Sequence, residues 1–236
     1  ALKYIHDPGI TGLTQARNRA VKENECDYVL FLDDDVILER DFILNILEIH
    51  KKYPEIYGLS GIITNLKIGW TETFIRKIFE IGIFADKRIF VYSNPKYHNY
   101  EVVEVAFLPG GLTSFKKEVF QDFQFDENFL QYGLSEDVDF SFRVSQRYKI
   151  AITPKARLMH ICSESGKADD GKFRENLVLS MHYFFRKNLR KNIFNYFCFT
   201  WLNVGFIYNA VLMAVFKHDF NVLIGNINGI KKIIKG

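Results

Sequence analysis

An uncharged run, Tyr28-Val29-Leu30-Phe31-Leu32, passes without a spacer into three carboxylates, Asp33-Asp34-Asp35, and Val36-Ile37-Leu38 then resumes the apolar pattern. The run favours β-branched and aromatic residues and reads as a strand buried on both faces, the kind found inside a parallel sheet. In open α/β sheets ligands bind at the carboxyl ends of strands. Three adjacent acids there repel one another unless a cation or a set of donors lies among them. Hard divalent cations such as Mg²⁺ take carboxylate oxygens and share them with substrate phosphates. The triplet is therefore a candidate metal–diphosphate site. The plainer reading is an acidic turn that ends a strand.

The segments around it alternate. Leu2 to Ile5 reads as a short strand, and His6-Asp7-Pro8-Gly9 as a turn. A helix is expected from Leu13 to Asn24, with Leu13, Ala16 and Ala20 as its apolar face. Asp41 to Lys52 reads as a helix with a broad apolar face, ended by Pro54. Ile56 to Ile63 is a strand. The stretch from Thr64 to Tyr100 reads either as a substrate-binding loop region or as a packed helix pair. Val102 to Leu108 is a strand broken by Pro109-Gly110-Gly111, and Ser114 to Phe120 begins a helix. Ser135 is a natural N-cap for a helix running to Arg147, with Glu136, Asp137 and Asp139 in its first turn. Lys149 to Thr153 and Arg157 to His160 read as two strands parted at Pro154. This alternation predicts an α/β catalytic domain over 1–170, built on a mostly parallel sheet flanked by helices.

A helical segment is expected over 171–236. Within it, Asn192 to Phe216 carries no charge and is preceded by Arg186, Lys187, Arg190 and Lys191. The run is long enough to span a bilayer. Asn195, Asn203, Asn209 and Gly205 interrupt it, which favours a helix lying in or against the membrane surface, or packed on the catalytic domain. The basic residues before it suit an anionic cytoplasmic leaflet, so peripheral contact at the cytoplasmic face of a membrane is expected.

Length and charge narrow the rest. A chain of 236 residues supports one sizeable core and an appendage. A net charge of +3, with no basic stripe interleaved with aromatics, predicts no nucleic-acid partner. Cys26, Cys162 and Cys198 are far apart and odd in number, which predicts a reducing compartment and no disulfide framework.

Other chemistry-bearing groups also fall at strand ends or helix starts. Gly110-Gly111 is a tight turn or a place where backbone approaches a ligand closely. The acids at 136, 137 and 139 are a capped helix start or the source of a general base. His160 is a structural residue or a third metal-site residue beside the acidic triplet. Arg17, taken by its position alone, is a solvated helix residue.

These residues, in this order, resemble the family-2 glycosyltransferases with the GT-A fold, over about Gly12 to Ser165. Gly12-Leu13-Thr14-Gln15-Ala16-Arg17-Asn18 is similar to the family's G-x-x-x-A-R-N helix, and Tyr28 to Val36 to its metal-binding strand and D-x-D motif. Pro109-Gly110-Gly111 resembles an acceptor-side turn. Phe125-Asp126-Glu127, followed by Glu136-Asp137-Val138-Asp139 and Arg143, resembles the F-D-E … E-D-x-D-x-x-x-R block, and His160 the family's late His.

The resemblance implies inverting sugar transfer from a UDP-, GDP- or dTDP-sugar to a hydroxyl of a glycan or lipid-linked acceptor. It implies that Asp33 or Asp34 contacts the nucleoside side and that Asp35, with His160 near it, binds Mg²⁺ or Mn²⁺. It implies that Asp137 takes the acceptor proton, with Glu136 as the second choice, that Arg17 lies near the nucleotide, and that Gly110 and Gly111 shape the acceptor pocket. It also carries a departure. Members begin with a strand-helix-strand unit that holds the nucleoside, whereas this sequence starts just before the G-x-x-x-A-R-N helix. The chain is expected to be part of a longer protein and to bind donor weakly without that unit.

Two alternatives stand beside this reading. Asp33-Asp34-Asp35-Val36 also fits, formally, the D-x-D-x-[TV] nucleophile motif of haloacid-dehalogenase-like phosphohydrolases. That fold needs its later acidic pair at a strand end, whereas here the later acids open a helix. The other alternative is a degenerate glycosyltransferase-like module that binds a glycan or partner without turnover.

Overall fold

The computed structural model describes residues 3–129, 134–161 and 170–235. Leu2, Cys162 and Ser165 lie outside the described residues.

Six strands among the described residues form one sheet: β1 (Tyr28–Leu32), β2 (Val36–Leu38), β3 (Ile56–Ile63), β4 (Val103–Glu104), β5 (Leu112–Lys116) and β6 (Lys149–His160). Their order is β1-β5-β3-β6-β2, with β4 also paired to β6. Helices α1 (Leu13–Lys22), α2 (Phe42–Lys52), α3 (Trp70–Phe79), α4 (Arg88–Ser93), α5 (Val119–Asp122) and α6 (Glu136–Ser145) flank it, and α7 (Asp170–Asn188), α8 (Ile193–Lys217) and α9 (Asn221–Lys235) follow.

The α/β architecture with flanking helices is as the sequence predicts, but the pairing is not mostly parallel. Only β3 and β6 run parallel, and the other four pairings are antiparallel. β1 is a half-buried edge strand rather than a strand covered on both faces; among the described residues its one strand partner is β5. The doubly buried run is β3, whose interior is covered on both faces.

Local departures have local causes. Lys3 to Ile5 is not a strand. Leu112–Lys116, expected to run into a helix, is a strand because both its neighbours, β1 and β3, pair with it; helix is confined to the single turn α5. Val102 to Leu108 keeps only two residues of strand, then leaves the sheet so that the Leu108 N–H can donate to Ser141 Oγ of α6 at 3.0 Å. Pro154 does not end β6. Proline cannot donate to a ladder, so strands accommodate it at irregularities, and here the β3–β6 register jumps from Ser60↔Ile152 to Ile62↔Arg157 around it. The Thr64–Tyr100 stretch is the packed-helix alternative, α3 and α4 with two short 3₁₀ turns.

Two apolar layers hold the sheet. On one face Phe42, Ile46 and Ile49 of α2 pack on Leu59, Leu112, Ala151 and Leu158. On the other, Phe140 and Val144 of α6 pack on Phe115, Ile62 and Ile152, and the Phe125 and Phe140 rings stack at 4.1 Å. Each such buried side chain contributes about 1.5–3 kcal/mol. A third cluster joins Phe184 and Phe185 of α7 and Leu202 of α8 to Phe107 and Phe142, so the packing continues across residue 170.

Candidate active site

The site begins with α1, whose buried face is polar. Thr14, Arg17 and Asn18 point inward, while Leu13, Ala16 and Ala20, the expected apolar face, are exposed. Buried polar groups are tolerated only when partnered, and these partners come from far along the chain. Asn18 Nδ2 donates to Phe125 O and to Glu127 Oε1, and Phe125 N–H returns a bond to Asn18 Oδ1, all at 2.9 Å. Arg17 Nη1 donates to Glu136 Oε1 at 2.6 Å, with its guanidinium over the Phe31 and Phe125 rings. Arg17 is therefore buried, not the solvated residue its position alone suggests.

The Gly110-Gly111 turn is a place of close approach. A β-carbon on Gly110 would lie 2.6 Å from Arg17 Nη2, and one on Gly111 would lie 1.8 Å from Asp33 Oδ2. The Asp33 N–H also donates to Gly111 O at 3.0 Å. The two glycines thus make room for the Arg17 guanidinium and the Asp33 carboxylate.

The antiparallel β2–β6 pairing sets Val36 opposite His160, which carries His160 to the acidic triplet. His160 Nε2 lies 2.9 Å from Asp35 Oδ1 and 3.8 Å from Asp33 Oδ2. One ligand atom from each of Asp33, Asp35 and His160 falls within 4.8 Å of the others. Asp34 is exposed and outside this group. Two carboxylate oxygens and an imidazole nitrogen, half open to solvent, are a donor set that suits Mg²⁺ or Mn²⁺ with positions left for other ligands. Burial pushes the Asp33 carboxyl up from its ordinary value, against the pull of Arg17 and His160.

Glu136 and Asp137 open α6 but face different surroundings. Glu136 is buried against Arg17, and burial, with the charge of Asp137, raises its carboxyl to about 7 despite the arginine. Asp137 is more open, with 21% of its side chain exposed, and it lines a cavity of about 960 Å³. Its Oδ1 accepts from the Val138 N–H at 2.8 Å and its Oδ2 from Arg88 Nη1 at 3.0 Å. Asp139 is fully buried and holds Arg143, Lys187 and Asn188, which ties α6 to α7. Ser135 occupies the expected cap position, but with a left-handed backbone and no side-chain capping bond.

Two residues that bond to the candidate site residues are not legible in the sequence. Arg88 binds Asp86, Asp137 and Leu108 O, and nothing in the Thr64–Tyr100 stretch marks it out. Asn65 exchanges two bonds with the His160 backbone, Nδ2 to O at 2.8 Å and N–H to Oδ1 at 3.0 Å. Its only signal is a polar residue just past the carboxyl end of a buried strand.

A mixed sheet flanked by helices is an arrangement shared with solved GT-A enzymes. A mannosyltransferase from Pyrobaculum calidifontis, solved with GDP-Man and Mn²⁺, superposes over 98% of this chain and 69% of its own length, with a TM-score of 0.58 and 13% identity. TarS residues 1–349 from S. aureus, solved with UDP-GlcNAc, superpose over 95% of this chain and 62% of their own length, with a TM-score of 0.52 and 14% identity. At these identities the likeness establishes the GT-A fold. The sequence model of glycosyl transferase family 2 matches residues 1–123, and the chain belongs to that family. The galactofuranosyltransferase GlfT2 of Mycobacterium tuberculosis is 30% identical over 103 residues, 41% of this chain. The chain spans only 15% of the length of that relative.

Proposed function

We propose that the chain carries the catalytic site of an inverting, metal-dependent hexosyltransferase that moves a sugar from a UDP-, GDP- or dTDP-sugar to an acceptor hydroxyl. The observation that carries this reading is the convergence of Asp33, Asp35 and His160 within 4.8 Å, in a chain whose Asp137 lines a cavity. The family membership supports transfer from an activated sugar, and the nucleotide-sugar complexes of the two structural neighbours support the donor class.

Asp35 and His160, joined by Asp33, would hold Mg²⁺ or Mn²⁺. A divalent ion there supplies positive charge to the diphosphate as it leaves. Asp33 and Asp34 face the nucleoside side of the donor. Arg17 lies close to the nucleotide and holds Glu136. Asp137 accepts the acceptor's proton: the hydroxyl oxygen bonds to the anomeric carbon, the bond from that carbon to the phosphate oxygen breaks, and the nucleoside diphosphate departs with the electron pair. Attack opposite the leaving group inverts the anomeric configuration. Glu136 is the weaker candidate because Arg17 and burial close it off from a substrate. Arg88 orients the Asp137 carboxylate. Gly110 and Gly111, which the family resemblance assigns to the acceptor pocket, lie instead against Arg17 and Asp33, outside the lining of the cavity at Asp137.

In this reading residues 1–170 carry the transfer chemistry and 171–236 the acceptor side, with a role in cell-surface glycan or polysaccharide synthesis. One helix among the described residues, α8, is long and apolar enough to cross a membrane, and only 22% of its most apolar window is buried. That exposure supports peripheral contact with a membrane, and the basic residues before α8 favour its anionic cytoplasmic face. The test is release of nucleoside diphosphate from UDP-, GDP- and dTDP-hexoses with Mn²⁺. Release from one donor class, lost on chelation and in Asp137→Asn, is expected; no release from any donor, by this chain or by a version carrying an N-terminal nucleoside-binding unit, would overturn the reading.

A further inference from the structure

The cavity of about 960 Å³ lies between α3, α7 and α8, away from the Asp33–Asp35–His160 group, and touches the candidate site at Asp137. Its walls are of two kinds. Phe79, Leu177, Met181, Leu202, Phe206 and Met213 form an apolar lining. The helices close on one another where Gly205 meets Phe79 and where Trp201 Nε1 donates to Ile78 O at 2.8 Å. Phe216 lines the cavity yet is 77% exposed, and Val211 and Val215 beside it on α8 are exposed as well. The lining therefore runs out onto an apolar surface at the end of α8.

The other wall is charged. Arg88 is held by Asp86 and Asp137, and Arg76 by Glu72 and Glu80. Arg174, the next cation along, has no hydrogen-bond or ion-pair partner among the described residues, although it lines the same space. Burial and the nearby Arg76 depress its guanidinium, and the charges of Asp170 and Glu72 offset this only in part, so an anion in the cavity would relieve the remaining cost. Glu80 Oε2 is buried without a partner in the same wall. The polar groups facing a sugar-sized ligand are thus mostly committed to one another, while Arg174, a second cation Lys217 at the far end of the cavity beside Phe216, and a long apolar wall have no such partners among the described residues.

We propose that this cavity is the acceptor site and that it takes an anionic amphiphile: a hydroxyl-bearing head at Asp137, a phosphate-type group at Arg174, and an apolar chain along α8 that leaves past Phe216. The role given to Asp137 rests on the transferase reading above. An arginine fork suits a phosphate, and the exposed apolar residues at the end of α8 suit a chain whose far end stays in a lipid surface.

The test uses decyl phosphate, decanol and inorganic phosphate, each below its aggregation concentration, by calorimetry on the chain and on Arg174→Gln and Met213→Trp. Thermal unfolding checks each variant's fold. Decyl phosphate is expected to bind one to one, at least tenfold more tightly than decanol or inorganic phosphate. Arg174→Gln is expected to erase that preference for decyl phosphate over decanol, and Met213→Trp, which fills the apolar wall, to weaken both. Arg174 has no hydrogen-bond or ion-pair partner to lose among the described residues, so its variant remains informative if Met213→Trp does not fold. Equal binding of inorganic phosphate, or decyl phosphate binding untouched by Arg174→Gln, overturns the proposal. Mn²⁺-dependent binding of UDP, GDP and dTDP is read in parallel. Nucleotide binding without decyl phosphate binding overturns the amphiphile and leaves the transferase reading standing. Decyl phosphate binding that depends on Arg174, without nucleotide binding, supports the ligand class and counts against the transferase.

Discussion

Arg17 and Glu136, 119 residues apart, meet in a buried ion pair with Nη1 2.6 Å from Oε1 and less than a tenth of either side chain exposed. The pair joins the helix before the acidic triplet to the helix that carries Asp137. It fixes the proposed donor and base sides of the site to one another. Breaking one partner of such a pair leaves an uncompensated buried charge and costs about 3–5 kcal/mol. Arg17→Met is expected to lose stability on that scale in urea unfolding, and adding Glu136→Gln is expected to recover much of it. A loss below about 1 kcal/mol in the single variant would mean that the pair does not join the two halves.

Gly111→Ala is expected to damage the site without touching the core. The new β-carbon would occupy the place of the Asp33 carboxylate, 1.8 Å from Oδ2, so the carboxylate must move. Mn²⁺ affinity should fall at least tenfold, with a smaller change in thermal stability. Unchanged Mn²⁺ affinity would separate Asp33 from the metal site.

Asp137→Asn keeps the shape of the side chain and removes its capacity to take a proton. Transfer is expected to fall by about 10²–10⁴-fold, the usual contribution of a general base, while nucleotide binding persists. Glu136→Gln should cost less in turnover than Asp137→Asn. The reverse order would exchange the two roles.

Burial raises the Glu80 carboxyl to about 7 from 4.5, although Arg76 pulls the other way. A raised folded-state value stabilises the fold fully below pH 4.5, and that contribution is lost as pH rises through about 7. The span corresponds to roughly 3 kcal/mol. Glu80→Gln, which mimics the protonated form, is expected to flatten the decline of stability between pH 5 and 8. An unchanged pH profile would show that Glu80 does not carry it.

The legible parts of this molecule are those whose chemistry is local. The run at Tyr28, the acids at Asp33 to Asp35, the acidic helix start at Glu136 and the strand-end His160 each declare themselves within a few residues, and the sheet brings His160 and the triplet together. What the sequence hid are the pairings that sheet order decides. A strand of aromatic and branched residues reads the same at the edge of a sheet as inside it, so the run at Tyr28 reads as doubly buried although β1 lies at the edge. Leu112–Lys116 became a strand because two neighbours hydrogen-bond to it, which no local propensity records. Pro154 ends strands in general, but a register shift against β3 absorbs it here. The inward face of α1 is polar because its partners, Phe125, Glu127 and Glu136, lie more than a hundred residues away, so an apolar-face reading selected the wrong side. Arg88 belongs to the same class: its meaning lies in Asp86 and Asp137, not in its own surroundings in the chain.

The central claim is that Asp33, Asp35 and His160 hold a divalent ion for a nucleotide-sugar donor. The most direct measurement is a Mn²⁺ titration followed by electron paramagnetic resonance, alone and with UDP, GDP or dTDP, on the chain and on Asp35→Asn. Saturable Mn²⁺ binding is expected, tightened by one of the nucleotides and abolished in Asp35→Asn. Binding that is undiminished in Asp35→Asn, or no binding with any nucleotide, would contradict it.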